Sequence, residues 1–480
     1  MTMRIYNTLT NSFEEFKPLE EMVVKMYSCG VTTYDEIHLG HARQAVVFDV
    51  IRNYFEFLGY RVDYVRNYTD IDDKIIKRAA EKNKQWFEIS DFYIAESKKD
   101  LTALKVRPAT FEPKVTENIF EIIDYIKFLV DKGFAYEGNE DVLFDVSQDK
   151  EYGKLSNRKI DELITEKETK GKRNPQDFSL WKAAKEGEPS WSSPWGSGRP
   201  GWHIECSVLA KKYLGEKLDI HGGGIDLLFP HHENEIAQSE SCCGTKFVNY
   251  WVHNGLVLIN GQKMSKSLGN FLTVKDTLKK QTADEIRYVI LVHNYGSQID
   301  FTEELFIEAR KRLYYFYKTL SKIEPYKQAG SVNVGVIPAE IKDLVDDFIA
   351  AMNDNFNTAK VIASLSSVFS RLNDIIESKT MVQEEKNSIY RVFWSGFNKI
   401  TKVLGLFDES PVEYLEKMQT FFFAEHDISI GHIDGLLAER NVAREKKDYI
   451  KADLIRGELS RMRINIKDKI GGGTTWELFF

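Results

Sequence analysis

Two short motifs carry the residue types that phosphate chemistry needs. His38-Leu39-Gly40-His41 stands where a short apolar run has ended and a helical pattern begins. A helix N-terminus offers unpaired N–H groups and a partial positive charge, and both suit phosphate. Gly40 leaves room for a nucleotide against the backbone, and two imidazoles can donate to developing phosphoryl charge. Taken alone, the tetrapeptide reads equally as a helix start with two surface histidines. Lys263-Met264-Ser265-Lys266-Ser267 follows Val257-Leu258-Ile259-Asn260-Gly261, in which Asn-Gly is the favoured two-residue hairpin turn. Two lysines in a small polar loop can follow the charge of a triphosphate into a transition state. By itself the loop is also what a solvated basic turn looks like.

A second set of residues is suited to metal. His231 and Glu235 are four apart, so on a helix they share one face. With Cys29 and Cys206 they would supply two thiolates, an imidazole and a carboxylate, a tetrahedral zinc set. Spacing alone does not bring residues so far apart in sequence together, and His232 is an alternative to His231. Cys242 and Cys243 are neighbours without the spacing of a chelating pair, and read as structural or free thiols. Four cysteines in 480 residues make no disulfide framework, which points to a reducing cytoplasm.

The elements that would position these groups can be read from periodicity. Val23 to Tyr27 is a short apolar strand ending at Cys29-Gly30. Ala42, Ala45, Val46, Val50, Tyr54 and Leu58 then recur on one helical face, Gly59 ends that helix, and Arg61 to Arg66 alternates like a strand. Strand, glycine loop, helix, strand implies a parallel sheet. Leu218-Asp219-Ile220, the run His221 to Gly224 and a helix beginning near His231 repeat the pattern. Between the halves lies an insertion with a hairpin-like Val142 to Val146; it ends in PSWSSPWGSGRPGW, whose Pro and Gly content predicts no regular element. From about Phe301 to Leu406 the pattern is long amphipathic helix. Phe407 to Ile430 is expected to be irregular, and a compact helix-helix-strand end follows.

Composition is ordinarily globular, with 42% hydrophobic and 29% charged residues, and 480 residues suggest roughly three domains. The first twenty residues hold three glutamates and no apolar core, so no secretory signal is expected, and no run is long enough to span a membrane. Net charge is −8, but Arg440 to Lys469 holds ten Lys/Arg against five Asp/Glu, so this stretch is +5 and the remainder −13. A basic patch at that end suits an anionic partner or a solvated helical face.

Together the two phosphate motifs resemble the HIGH and KMSKS signatures of class I aminoacyl-tRNA synthetases, with Leu39 replacing Ile. Cys29-Gly30, Tyr34-Asp35, Thr69 to Lys74, Gly201 to Ser207, Gly222 to Glu235 and Asn355 to Thr358 resemble the cysteinyl-tRNA synthetase family, and the likeness runs from Ile5 to Trp476. It implies an α/β fold: a split Rossmann-like parallel-sheet catalytic domain with an insertion, then a helical bundle and a small C-terminal α+β anticodon module. The expected boundaries are 1–115 and 198–260 for the catalytic halves, 116–197 for the insertion, 261–315 for the KMSKS loop and stem-contact region, 316–406 for the bundle and 407–480 for the anticodon module.

The implied activity is ATP-dependent formation of cysteinyl-adenylate and transfer of cysteine to tRNA. The resemblance gives His38, His41, Lys263 and Lys266 the catalytic roles. It places Gly40, Gly222, Gly223, Asp226 and Lys266 on Mg-ATP, and Gly30, Thr69, Trp202 and His203 on L-cysteine; Trp202 is equally a core candidate. Cys29, Cys206, His231 and Glu235 would hold one zinc per chain, becoming five-coordinate or releasing Glu235 when the substrate thiolate arrives. Arg444, Tyr449, Asp453 and Asp468 would meet the anticodon of cysteine tRNA. A monomer in the cytoplasm, with no membrane partner, is expected. A paralogous cysteine ligase acting on an amino sugar, a non-catalytic tRNA-binding regulator and a zinc hydrolase are the alternatives; the C-terminal module and the intact motifs argue against them.

Overall fold

The computed structural model describes residues 2–158, 171–264, 271–327, 336–468 and 474–479. Val23–Thr32 (β1), Leu39–Phe57 (α1) and Arg61–Thr69 (β2) form the first parallel unit. Trp202–Leu214 (α2), Leu218–Gly224 (β3), Glu233–Cys243 (α3) and Val248–Asn254 (β4) form the second. The four strands make one parallel sheet in the order β4-β3-β1-β2. The order reverses between β1 and β3, and their carboxyl ends therefore flank the crevice where an open α/β sheet takes its ligand.

Pleating decides which side chains reach which face. Val24 and Met26 pack with Val46, Val50 and Tyr54 of α1, whereas Tyr27 and Cys29 pack with Ile204, Cys206 and Ile236 of α2 and α3. Cys29 and Cys206 thus meet on one side of the sheet. A register shift lies between Ser28 and Val31, where Gly30 brings the backbone so close to β2 that a Cβ would sit 1.5 Å from Asn67 O. Only glycine fits that bulge.

The insertion carries a five-stranded antiparallel sheet in the spatial order 135–138, 141–144, 178–183, 196–200, 191–193. Its last hairpin corrects the expectation that PSWSSPWGSGRPGW is irregular. Trp191–Ser193 pairs with Gly196–Pro200, Pro194 falls in the turn, Gly196 takes the φ of 103° that the turn needs, and Pro200 is the terminal strand residue. Each proline is thus kept out of the strand interiors.

Val257–Ile259 (β5) and Gln262–Lys263 (β6) form the expected hairpin, with Asn260 and Gly261 both at positive φ, and Ile299–Phe301 (β7) pairs parallel to β5. The helical region packs Glu303–Ile323 (α4) with 344–352, 358–377 and 383–404 around Phe316, Leu365, Phe369 and Phe397. Residues 407–430, expected to be irregular, contain a helix, Pro411–His426 (α5). Pro411 occupies its first turn, where a missing N–H costs nothing, and Tyr414, Met418 and Phe422 form a buried stripe at four-residue spacing. Three consecutive phenylalanines, 421–423, blur that period in the sequence. The chain ends with Ile430–Glu445 (α6), Tyr449–Arg461 (α7) and the antiparallel hairpin Ile464–Asp468 (β8) and Thr474–Leu478 (β9).

Candidate active site and metal centre

His38 is the N-cap of α1. Its Nδ1 accepts from Gly40 N at 3.1 Å, and His41 Nδ1 accepts from His38 N at 3.3 Å, closing a capping box. An Nδ1 that accepts a backbone N–H leaves the ring's N–H at Nε2, so either histidine can donate from that atom. The rings stack at 3.7 Å between centroids. Burial, then the neighbouring His38, push His41 well below the ordinary imidazole range, so it is neutral at pH 7. A side chain on Gly40 would lie 2.9 Å from the His38 ring, so it is this ring that the glycine admits.

The chain on the far side of the lysine motif is joined to this helix start. His38 and Thr273 form an antiparallel bridge, Leu39 N donates to Leu272 O at 3.2 Å, and Val274 N donates to Ile37 O at 3.0 Å. Lys275 Nζ reaches Glu36 at 3.1 Å and Glu96 at 3.0 Å. Lys263 ends β6 at the surface, and the methyl of Met264 comes within 3.8 Å of a Cβ placed on Gly40. Lys266 lies outside the described residues.

Cys29, Cys206, His231 and Glu235 converge, all buried, with ligand atoms within 4.8 Å of one another. The two Sγ atoms are 3.7 Å apart, Cys206 Sγ is 3.6 Å from His231 Nε2, His231 Nε2 is 3.1 Å from Glu235 Oε1, and Cys29 Sγ is 3.3 Å from that oxygen. Tetrahedral zinc bonds of about 2.3 Å to sulfur and 2.0–2.1 Å to nitrogen or oxygen require edges of roughly 3.3–3.8 Å, so the donors fit the ion. Cys29, His221, His232 and Glu235 form a second possible group. There His221 Nε2 stands 2.7 Å from Glu235 Oε2, an ordinary hydrogen bond, while His232 Nε2 is 4.0 Å from Oε1. This set is less regular, and His221 is better placed to orient Glu235 than to share an ion with it.

Charge in the pocket follows from these contacts. Burial opposes ionisation of Glu235, but His221 and His231 hold its carboxyl well below the usual range. Burial would also lower His231, yet Glu235 and Cys206 raise it to about 10. Burial opposes a Cys206 thiolate, but the Cys29 thiol and His231 bring it down to about 6, while Cys29 is pushed up by burial and by Cys206.

Around this centre, Trp202 is 38% exposed and stacks on His231 at 4.1 Å, which makes it a wall of the site rather than core. His203 Nδ1 lies 3.0 Å from His231 Nδ1. Thr69 Oγ1 donates to the buried Glu205 at 2.5 Å. Gly222 is a packing glycine, since its Cβ would meet Val252 O at 1.7 Å; Gly223 faces Gln44 and His232, and Asp226 is exposed just past the end of β3. Cys29, Gly30, His41, Gln44 and Asn67 line one crevice, which connects the metal donors with the histidine motif.

Sequence reasoning missed His221, His253, Glu205 and Gln44. His253 Nε2 is 2.8 Å from His232 Nδ1, and its own Nδ1 is 2.9 Å from Thr8 Oγ1. Their signal was faint: His221 and His253 each interrupt an apolar strand, and Glu205 and Gln44 lie on α2 and α1 with no motif of their own. At the C-terminus, Asp468 binds Arg440 through both oxygens, at 2.8 and 3.0 Å, and Arg444 at 2.8 Å. Tyr449, 63% exposed, and the exposed Asp453 lie on α7. These residues lie on elements that enclose an apolar cluster of their own, separate from the clusters that pack the sheet.

Comparison with known proteins bears on this arrangement. The family model of the tRNA synthetases class I (C) catalytic domain matches residues 15–311, the DALR domain matches 347–408, and the cysteinyl-tRNA ligase anticodon binding domain matches 431–476. The cysteine–tRNA ligases of Thermococcus gammatolerans and Pyrococcus horikoshii are each 46% identical over 99% of both chains, and that of Geobacter sulfurreducens is 44% identical over the full length of both. Among solved structures, methionyl-tRNA synthetase of Mycobacterium tuberculosis in complex with methionyl-adenylate overlays with a TM-score of 0.60 at 13% identity, covering 80% of this chain and 92% of that one, a likeness of fold. With 46% identity over 99% of the chain and family models matching its catalytic, helical and anticodon regions, this chain belongs to the cysteine–tRNA ligase family of class I aminoacyl-tRNA synthetases.

Proposed function

We propose that the chain is an AMP-forming cysteine–tRNA ligase working through the residues just described. The observation that carries this reading is one crevice at the carboxyl end of β1, lined both by Cys29, one of four converging metal donors, and by His41 of the capped histidine pair. A carboxylate oxygen of L-cysteine attacks the α-phosphorus of Mg-ATP, the bond to the bridging oxygen breaks, and pyrophosphate leaves. A hydroxyl of the terminal adenosine at the 3′ end of the tRNA then attacks the carbonyl carbon, releasing AMP. The Nε2–H groups of His38 and His41, with Lys263 and Lys266, stabilise charge on the transferring phosphoryl group, and no side-chain nucleophile is needed.

Gly223 lets the nucleotide approach the backbone, Gly40 and Gly222 shape that surface by admitting the His38 ring and the Val252 carbonyl, and Asp226 meets the ribose. Gly30, Thr69, Trp202 and His203 enclose the amino acid. Cys29, Cys206, His231 and Glu235 would hold one zinc per chain. When bound, zinc supplies a soft acceptor that prefers a thiolate to a protonated hydroxyl, so serine is refused at the binding step. Arg444, Tyr449, Asp453 and Asp468 would read the anticodon. The candidate centre is completed by residues of one chain, which suits a monomer, and four free cysteines suit the reducing cytoplasm. No helix among the described residues is long and apolar enough to cross a membrane.

Cysteine-dependent ATP–pyrophosphate exchange, run beside serine and every other amino acid, tests the reading. Exchange with cysteine alone is expected. Exchange with a different amino acid, or none, would overturn it.

A further inference from the structure

Arg43 follows the histidine motif by two residues, on the opposite side of α1, and is fully buried. Its guanidinium meets no carboxylate among the described residues. Five main-chain carbonyls surround it instead: Nη1 donates to Gly255 O at 2.8 Å and Leu256 O at 3.0 Å, and Nη2 donates to Tyr295 O at 2.8 Å, Asn294 O at 3.5 Å and Ser297 O. These carbonyls belong to two separate segments. One is the root of β5, from which the hairpin bearing Lys263 grows; the other is the turn leading into β7, which pairs with β5. The segments themselves touch so closely that a Cβ on Gly255 would lie 2.1 Å from Ser297 O.

A buried cation whose terminal nitrogens meet only carbonyls and whose Nε has no hydrogen-bond partner is costly to place, and an apolar residue would fill the same space more cheaply if packing were its task. We infer that Arg43 is a positioning residue for phosphoryl transfer, fixing the root of the lysine hairpin to the helix that carries His38 and His41. One guanidinium then sets the distance between the two groups of phosphate donors, and donor placement to within a fraction of an ångström governs such catalysis. The cysteine side of the site, built on the other face of the sheet, does not depend on it. This inference rests on the phosphate roles given above to His38, His41 and Lys263.

The test is pyrophosphate exchange by full-length Arg43→Gln and Arg43→Lys, with metal content and hydrogen exchange measured on the same samples. Lysine keeps the charge but, with a single nitrogen, cannot span both carbonyl groups. For both variants kcat is expected to fall at least tenfold and KM for ATP to rise, while KM for cysteine and bound metal stay within about twofold of wild type. Faster hydrogen exchange should be confined to residues 255–264 and 294–301. Wild-type kcat in a folded variant would overturn the inference, as would parallel loss of ATP binding, cysteine binding and metal, or failure of both variants to fold, since each marks a purely structural role. Absence of cysteine-dependent exchange in the wild type would instead sink the functional reading itself.

Discussion

His221 Nε2 donates to Glu235 Oε2 at 2.7 Å, with both side chains fully buried, so one carboxylate oxygen is held while the other faces His231 and Cys29. Such a partner fixes a metal ligand's orientation and typically accounts for ten- to a hundredfold in metal affinity. His221→Leu should therefore lose zinc to a competing chelator at about ten- to a hundredfold lower chelator concentration. Cys206→Ser, which removes a donor, should lower zinc content and cysteine binding together. Zinc content measured by elemental analysis, with cysteine titration alongside, checks both. Unchanged metal retention in His221→Leu would mean that the contact is packing alone.

His38 has two separable tasks, and a pair of substitutions distinguishes them. Its Nδ1 caps α1, and its Nε2–H is the proposed phosphate donor. Asparagine also caps well but offers no donor at that reach, so His38→Asn should keep wild-type thermal stability while exchange falls at least tenfold. His38→Ala should lose the same activity and about 1 kcal/mol of stability as well. Wild-type exchange in His38→Asn would leave the residue a cap and nothing more.

The two phosphate motifs were legible because each sits at a local feature with its own sequence mark, a helix start and an Asn-Gly hairpin. What joins them was not. The bridge from His38 to Thr273 is main chain to main chain, and the partners of the Arg43 guanidinium, some 250 residues on, are main-chain carbonyls, which leave no residue-type signature. The metal set was legible only through resemblance, since pleating, not spacing, puts Cys29 and Cys206 on one side of the sheet. His221 reads with the glycine run after its strand rather than as part of it, and His253 stands alone in an apolar run, so neither points to the metal centre. α5 was missed because its stripe is aromatic and its flank Phe421-Phe422-Phe423 reads as a run. The hairpin at 191–200 was missed because its prolines fall at turn and end positions that composition cannot locate.

The helix missed in sequence has a stability consequence. Tyr414 of α5 is fully buried, stacks on Tyr317 of α4 at 3.7 Å between centroids and lies 3.2 Å from Thr282 Oγ1. Tyr414→Ala should destabilise the chain by about 3–5 kcal/mol, the usual result of deleting a buried aromatic ring. Pyrophosphate exchange at temperatures below the lowered transition should be unchanged, because α5 touches none of the phosphate or metal groups. Thermal unfolding followed by calorimetry gives the first number. A shift too small to measure would show that α5 rests only loosely on the bundle.

The C-terminal surface should separate tRNA charging from amino-acid activation. Asp468 is held well below the ordinary carboxylate range, first by its hydrogen bond from Arg440 and also by Thr474 and Arg444. Its contribution to stability is thus present above the unfolded carboxylate pKa of about 4 and is lost only as pH falls through the lower folded value. At neutral pH the carboxylate is committed to organising two arginines, of which Arg444 remains 44% exposed and able to meet phosphate. Beside it Tyr449, Ile450 and Leu454 expose an apolar strip, 63%, 79% and 66% accessible, on which an unpaired base could stack. Base stacking on an aromatic ring is worth about 1–3 kcal/mol, so Tyr449→Ala should raise KM for tRNA roughly ten- to a hundredfold. Arg444→Ala should weaken charging with a shallower salt dependence, as loss of one phosphate contact predicts. Asp468→Asn should do the same indirectly, by releasing Arg440 and Arg444. None of the three should alter cysteine-dependent exchange, since the crevice of β1 and β3 is built without them. Charging and exchange measured on each variant at two salt concentrations decide the matter: a variant that slows both equally has disturbed the fold, and three variants that slow neither would remove this surface from tRNA recognition.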